Sequence, residues 1–284
     1  MEPGRISVVL VTHESIAVLD DCLGHVIPEL RSNGAELIVV DNDSRDGSGP
    51  RVAALWPPAA LIRNSRNRGF AAACNQGAAA ASGEWLVLLN PDVNVDAGAL
   101  GELRATLLAN SDAGFVAGRL RSPDGRFQAS CRRFPTAGNL IQSRGSVLSR
   151  WRRTGVPYTL PDANHVVSVP AVACAFVMIR RALFQSLGGF DERFFLFMED
   201  TDLSLRLERA GYRNLFVPEA GATHRWGQGA RSGKWRRTLH HHHSMWKYFR
   251  KHDPGGYSRL VLPLLLTGNL LARSLLRPRR GNPF

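Results

Sequence analysis

Apolar residues in the first hundred positions fall into short blocks joined by segments of helical period. Ile6 to Val11, Leu37 to Val40 and Trp85 to Leu89 read as strands buried on both faces. Between the first two, Ile16, Leu19, Leu23, Val26, Ile27 and Leu30 recur at spacings of three and four. That spacing predicts a helix with Ser15 as N-cap and a turn at Asn33-Gly34. Leu61-Ile62 predicts a brief third strand, and Ala71 to Ala81 an Ala-rich helix stopped by Ser82-Gly83. Strand–helix alternation of this kind marks a parallel sheet with helices on its faces.

The predicted strands end in polar loops at 12–15, 41–48 and 90–93, all on one sheet edge, where open α/β sheets place their ligand crevices. Asn90-Pro91 stops the third of these strands, because proline lacks a ladder donor and favours a turn. Asp92 is thereby left at the strand's carboxyl end. Further along, the pattern predicts a helix over 97–109, a strand over 114–120 and a turn at Pro123-Asp124-Gly125. Residues 134–160, rich in Arg, Gly and Ser, read as a loop, and 166–179 as strand-like. A short helix begins at Arg180 and closes at Gly188-Gly189. Glu199-Asp200-Thr201-Asp202 opens another, with acidic groups complementing its macrodipole and Gly211 ending it. A strand over 214–217 then leads to His224.

Length and composition change this picture little. The 284 residues suit one large domain with an appendage, and 44% hydrophobic and 21% charged residues are ordinary for a globular chain. Charge changes it more. The formal net charge of +12, gathered in 144–153, 225–237 and 273–280, favours an anionic partner such as nucleic acid, a phosphorylated small molecule or an anionic membrane face. Cys22, Cys74, Cys131 and Cys174 form no CxxC pair and read as buried reduced thiols of a cytoplasmic protein. No secretory leader pattern precedes the first strand, and Leu260 to Leu276 is short and interrupted for a spanning helix, which needs about 20 apolar residues.

Several polar residues sit where chemistry is expected. Asp41 closes the second strand, where a carboxylate can accept a base imide N–H or cap the next turn, a role open equally to Asp43 and Asp46. Asn67 and Gly69 precede a helix whose amides can meet a diphosphate, although Gly69 also suits a tight turn. Asn75 is unfavourable inside an Ala-rich helix and points to a buried hydrogen-bonding role, structural or ligand-directed.

Val39 to Ser48, Asn67-Arg68-Gly69-Phe70 with Asn75 and Gly77, Leu88 to Val93, Gly188 to Glu192 and Glu199 to Leu203 occur in this order. Together they resemble the inverting glycosyltransferases of family 2, with the GT-A fold, and particularly their rhamnosyltransferase-like branch, over about residues 6–226. The resemblance implies an α/β, Rossmann-like, mixed but mostly parallel sheet flanked by helices. This GT-A domain would occupy 1–234, with a nucleotide-binding half over about 1–120 and an acceptor half over about 121–234. A basic, apolar helical extension would follow over 235–284.

The same resemblance assigns Thr12, Glu14, Asp41, Asn67, Gly69, Asn90 and Asp92 to a nucleotide-sugar donor, dTDP-rhamnose first and a UDP-sugar second. Asn90 stands where the family's DxD motif has its first Asp. Asp92 and His224 would hold Mn²⁺ or Mg²⁺. Asp200 would be the general base, with Glu199 raising its pKa by like-charge proximity. Asp191 would organise its turn or meet the acceptor, a glycan or polyprenyl-diphosphate-linked sugar in cell-wall or surface polysaccharide synthesis. Asp202 reads as an i,i+4 partner of Arg206. Cys174-Ala175 replaces the Gly-Ala pair frequent in the family.

The four histidines His240 to His243 read as a solvated basic helix face, since adjacent residues make a poor metal site. From Trp235 onward, basic and aromatic residues interleave, as in a segment lying on an anionic membrane, here the inner face of the plasma membrane. The other reading is a helix docked on its own domain or on a second subunit of a homo-oligomer. A nucleic-acid-binding protein is the rival class, but the basic clusters lie away from the motif loops, so no nucleic-acid partner is expected. A nucleotidyltransferase would need a Gly-rich triphosphate loop after the first strand, and Thr12-His13-Glu14-Ser15 is not one.

Overall fold

The computed structural model describes residues 2–136, 159–228 and 233–275. Residues 2–134 and 159–228 belong to one compact unit, and 135–136 with 233–275 to a second. Most of the loop expected over 134–160 lies outside the described residues.

The first unit is built on a nine-stranded sheet. Its leading strands are β1 (Glu2–Thr12), β2 (Glu36–Asn42), β3 (Ala60–Asn64) and β4 (Gly83–Leu89), all parallel. β6 (Ala113–Arg121) and β11 (Arg213–His224) run the same way, while β5 (Val93–Val95), β8 (Val167–Val169) and β10 (Phe176–Arg180) run against them. Across the sheet the order is β3-β2-β1-β4-β10-β6-β11-β5, with β8 also paired to β11. A separate two-stranded ribbon pairs β7 (Cys131–Arg132) with β9 (Ala171–Val172). The strand-like run over 166–179 is thus three short strands rather than one.

Alternation explains why the strands read as unbroken apolar blocks. Ile6, Val8, Leu10, Trp85, Val87 and Leu89 face a layer with α1 (Ile16–Asn33) and α4 (Ala99–Ala109). Val9, Val11, Leu86 and Leu88 face the opposite layer with α3 (Phe70–Ala80), the short α5 (Arg181–Ser186) and α6 (Glu199–Arg209). Two helices differ in detail from the sequence reading. Ser15 does occupy the N-cap position of α1, but its side chain does not cap; the Ile16 N–H donates to Asp46 instead, at 2.9 Å. α2 (Ser48–Leu55) escapes periodicity because it is eight residues long and opens with Ser-Gly-Pro.

α3 is Ala-rich because it must lie close to the sheet. A β-carbon on Gly77 would overlap Val9 Cγ1 and press on Val40, so this helical glycine is a packing requirement. The second unit contains α7 (Lys234–His252), a π-turn over Tyr257–Val261 and α8 (Leu262–Leu275). Here the expected solvated histidine face is corrected at His242. It is 5% exposed, with Nδ1 2.8 Å from the Thr238 carbonyl and Nε2 2.9 Å from the Asn269 amide nitrogen of α8. The face fails because positions 242, 245 and 249 form the buried side of α7. No helix among the described residues is long and apolar enough to cross a membrane.

Two glycine substitutions should therefore act with opposite sign in urea unfolding. Gly77→Ala overpacks the α3–sheet contact and lowers stability by about 1–3 kcal/mol. Gly101→Ala, in α4 with open space around the new methyl, raises it by about 0.4–1 kcal/mol.

Candidate active site

Strand register brings the candidate residues together. In the β1–β2 ladder Thr12 stands opposite Asp41, and in β2–β3 Asp41 stands opposite Arg63 and Asn42 opposite Asn64. The buried Asp41 carboxylate accepts from Thr12 Oγ1 at 3.4 Å and from the Ser44 amide at 3.1 Å, and Arg63 Nε lies 3.8 Å from its other oxygen. It therefore caps the turn through Oδ1. Oδ2 is approached by Gly49, where a β-carbon would come within 2.5 Å. Asp46 caps as well, taking the Ser48 amide and hydroxyl. Glu14 reaches across to the Arg45 amide at 2.8 Å and joins the first loop to the second.

Asn67 and Gly69 are organised by a residue that sequence reasoning passed over. The Asn42 side chain donates to Asn67 Oδ1 (2.9 Å) and the Gly69 carbonyl (3.2 Å), and accepts from Asn64 (3.1 Å) and the Arg68 amide (2.9 Å). Asn67 Oδ1 in turn takes the Gly69 amide at 2.9 Å. The Gly69 and Arg68 amides are thus engaged within the loop. Gly69, at φ +86°, abuts the Phe195 carbonyl, which accepts from the Phe70 amide at 2.8 Å. Asn75 plays a structural role. It brackets Phe190, accepting from its amide and donating to its carbonyl, both at 2.9 Å.

β4 ends as expected, but pairing resumes at once in β5. The β5–β11 register sets His224 opposite Val93, and the Arg225 amide donates to the Asp92 carbonyl at 2.9 Å. His224 Nε2 then lies 3.3 Å from Asp92 Oδ1, with both side chains buried. His224 Nδ1 meets Gln128 Oε1. An Nδ1–H donating to that amide oxygen would leave Nε2 its lone pair, the tautomer in which a histidine can bind a metal. The Asn90 amide donates to the Ala175 carbonyl at 2.9 Å, while its side-chain oxygen is buried with no hydrogen-bond partner among the described residues.

Asp200 and Glu199 open α6, directly after Phe197 and Met198, both in left-handed backbone at φ 69° and 70°. Arg132 of β7 pairs with Asp200 and also donates to Thr201 Oγ1 at 2.8 Å. The carboxyl pushed up is that of Glu199, held well above its ordinary value by burial and then by Asp200. Its Oε2 is buried with no hydrogen-bond partner among the described residues. The buried Cys174 thiol, beside Ala175, is raised by burial and by the charge of Asp200, which links the end of β4 electrostatically to the start of α6. All four cysteines are free and buried.

Asp191 bonds the Arg193 guanidinium at 2.9 Å, and Asp202 pairs with Arg206 at 2.9 Å. Arg206 also holds the Leu187 and Gly189 carbonyls, so the Gly-Gly turn is fixed from α6. Sequence reasoning missed Asn42, Gln128 and Arg132. Asn42 lies inside the Val39 to Ser48 motif and was legible; the other two lie in unpatterned stretches and carry no local signal.

Among solved structures, the mannosyltransferase PcManGT from Pyrobaculum calidifontis, with GDP-Man and Mn²⁺, matches at TM-score 0.61 and 19% identity, covering 97% of this chain and 76% of that one. GalNAc-T7, with UDP, GalNAc and Mn²⁺, matches at TM-score 0.62 and 19% identity, covering 87% and 47%. The fold is that of a GT-A glycosyltransferase, as the motifs implied. The chain belongs to glycosyl transferase family 2, whose model matches residues 7–188; a glycosyl transferase family group 2 model matches 143–276. A relative, N-acetylglucosaminyl-diphospho-decaprenol L-rhamnosyltransferase of Mycobacterium tuberculosis, is 28% identical over 258 residues, covering 86% of this chain and 83% of its own. Rhamnosyltransferase WbbL of Escherichia coli is 34% identical over 95 residues, 34% of each chain.

The raised Glu199 carboxyl makes stability pH-dependent. An acid whose folded pKa exceeds its unfolded value loses stabilising effect as pH rises from the ordinary carboxylate range toward the folded pKa. Glu199→Gln removes this loss, so its melting temperature relative to wild type should climb between pH 5 and 8; a constant difference would refute a neutral Glu199.

Proposed function

We propose that this glycosyltransferase moves a sugar with inversion from a nucleotide-sugar donor to a glycan or polyprenyl-diphosphate-linked acceptor. dTDP-rhamnose is the favoured donor, an assignment that rests on the rhamnosyltransferase relatives. The decaprenol-linked acceptor in the mycobacterial relative's name supports a lipid-linked acceptor here. The reading is supported by Asp41 at the end of β2, by the buried Asp92–His224 contact after β4 and β11, and by Asp200 at the start of α6, whose charge reaches Cys174 just before β10.

In this reading Asp41, steadied by Thr12 and the Ser44 amide, accepts the imide N–H of thymine or uracil, so dTDP- and UDP-sugars both remain eligible. Asn90 offers its side chain to the ribose. Asp92 and His224 suit a hard divalent cation: a carboxylate and an imidazole lone pair converge, leaving the other positions to diphosphate oxygens. Among the described residues no group of three or more His, Cys, Asp or Glu converges, so in this reading the remaining ligands come from the donor. Mn²⁺ or Mg²⁺ bound there would offset charge on the departing diphosphate.

Asp200 takes the acceptor hydroxyl proton as that oxygen attacks the anomeric carbon from the face opposite the diphosphate. The bond to the diphosphate breaks, the nucleoside diphosphate leaves with the electron pair, and configuration inverts. Arg132 fixes the direction of the Asp200 carboxylate, and Asp191 borders the acceptor side.

The purified chain should release dTDP from dTDP-rhamnose, or UDP from a UDP-sugar, only when Mn²⁺ or Mg²⁺ is added. Asp200→Asn should lower kcat by about 10²–10⁴-fold with donor affinity kept; undiminished turnover would remove Asp200 as the base. Gln128→Leu should raise the half-saturating Mn²⁺ concentration by about 10–100-fold, because it frees the imidazole behind Asp92.

A further inference from the structure

The second unit carries an apolar face that its own helices leave to solvent. Leu260, Val261, Leu264 and Leu265 lie one turn apart in pairs across the π-turn and the start of α8, 71%, 45%, 74% and 45% exposed. On the other side of the same stretch, Leu262 is 1% exposed and Asn269 bonds His242 of α7. The exposed stripe is therefore the side of α8 turned away from the His242 bond. α7 adds Trp235 and Leu239, exposed and one turn apart.

Charge on this helical pair is almost all of one sign. Arg236, Arg237, Lys247, Arg250, Lys251 and Arg259 stand against a single acidic residue, Asp253, between 233 and 275. Arg236, Arg250 and Arg259 are exposed, and Arg250 stacks over Trp246 at 5.5 Å from the ring centre.

We propose that this helical pair is a docking surface for an anionic lipid bilayer, with the leucine stripe immersed at the acyl boundary and the arginines and lysines on lipid phosphates. Apolar residues on one side and cations beside them are what an interfacial helix needs. A second copy of the chain fits less well. A two-fold interface sets a patch against itself, and here that would bring like charges together around the stripe. Spanning is a different matter: α8 is about 21 Å long at 1.5 Å per residue, short of the roughly 30 Å hydrocarbon core. The proposal is independent of the sugar-transfer reading, since it uses no residue of the sheet edge.

The test is flotation of the full chain with vesicles of phosphatidylcholine alone or with about 30 mol% phosphatidylglycerol, an anionic fraction that gives the surface a negative potential. Wild type should float with the anionic vesicles, release as salt rises from about 0.1 to 0.5 M, and ignore the neutral ones. Leu260→Glu with Leu264→Glu should lower the partition coefficient at least about tenfold. Arg236→Glu with Arg250→Glu, a pair that leaves the leucines in place, should remove the salt-sensitive part. Circular dichroism and nucleoside diphosphate release from the soluble donor should match wild type in both. Failure of wild type to float with anionic vesicles, equal binding by the leucine variant, or a lipid-free dimer in sedimentation velocity that this variant dissociates would each overturn the proposal.

Discussion

Burial of the sheet on both faces is the constraint from which the site follows. A strand slipped by one residue would send every side chain to the wrong layer, so register is tightly specified wherever both layers are apolar. Val8 and Leu10 must meet α1 while Val9 and Val11 meet α3. Once that is fixed, Thr12 has no choice but to end opposite Asp41, and Asp41 opposite Arg63. The same reasoning extends to the far side of the sheet, where the β5–β11 ladder puts an imidazole against Asp92. Polar geometry at the edge is inherited from apolar packing in the middle.

The edge also concentrates unfavourable backbone. The four non-glycine residues in left-handed conformation among those described are Glu14, Asp43, Phe197 and Met198. Two belong to the loops around Asp41 and two lead straight into Glu199. Such conformations cost on the order of 1–3 kcal/mol each and persist where surrounding structure over-determines them. Here the surroundings are visible: the Ser44 hydroxyl takes the Glu14 amide, and the Asp202 amide donates back to the Met198 carbonyl. The buried carboxyl of Glu199 adds a further cost, seen in a pKa raised well above its ordinary value by burial and by a neighbour, Asp200, that is ion-paired to Arg132.

Most of the sheet was legible from the chain, because a doubly buried strand announces itself as an apolar run and proline or glycine marks its end. The places of Asp41, Asp92, Asp200 and His224 at strand ends or at a helix start were legible too. What could not be read depends on partners far along the chain. β5 has only three residues and exists because β11 is there to pair with it. Gln128 matters through a histidine 96 positions away, and Arg132 through a threonine 69 positions away. The histidine run misled for a related reason: four identical residues on one helix point in different directions, and only the fold says that 242 faces inward.

The bond between the Phe70 amide and the Phe195 carbonyl joins the loop of Asn67 to the approach of Asp200 through main chain alone. No exchange of side chains at either position can sever it, short of a proline at 70, and the glycine at 69 is what lets the two strands of chain come that near. Sequence drift can thus change the side chains on both sides of this seam while the main chains it joins stay at a constant separation.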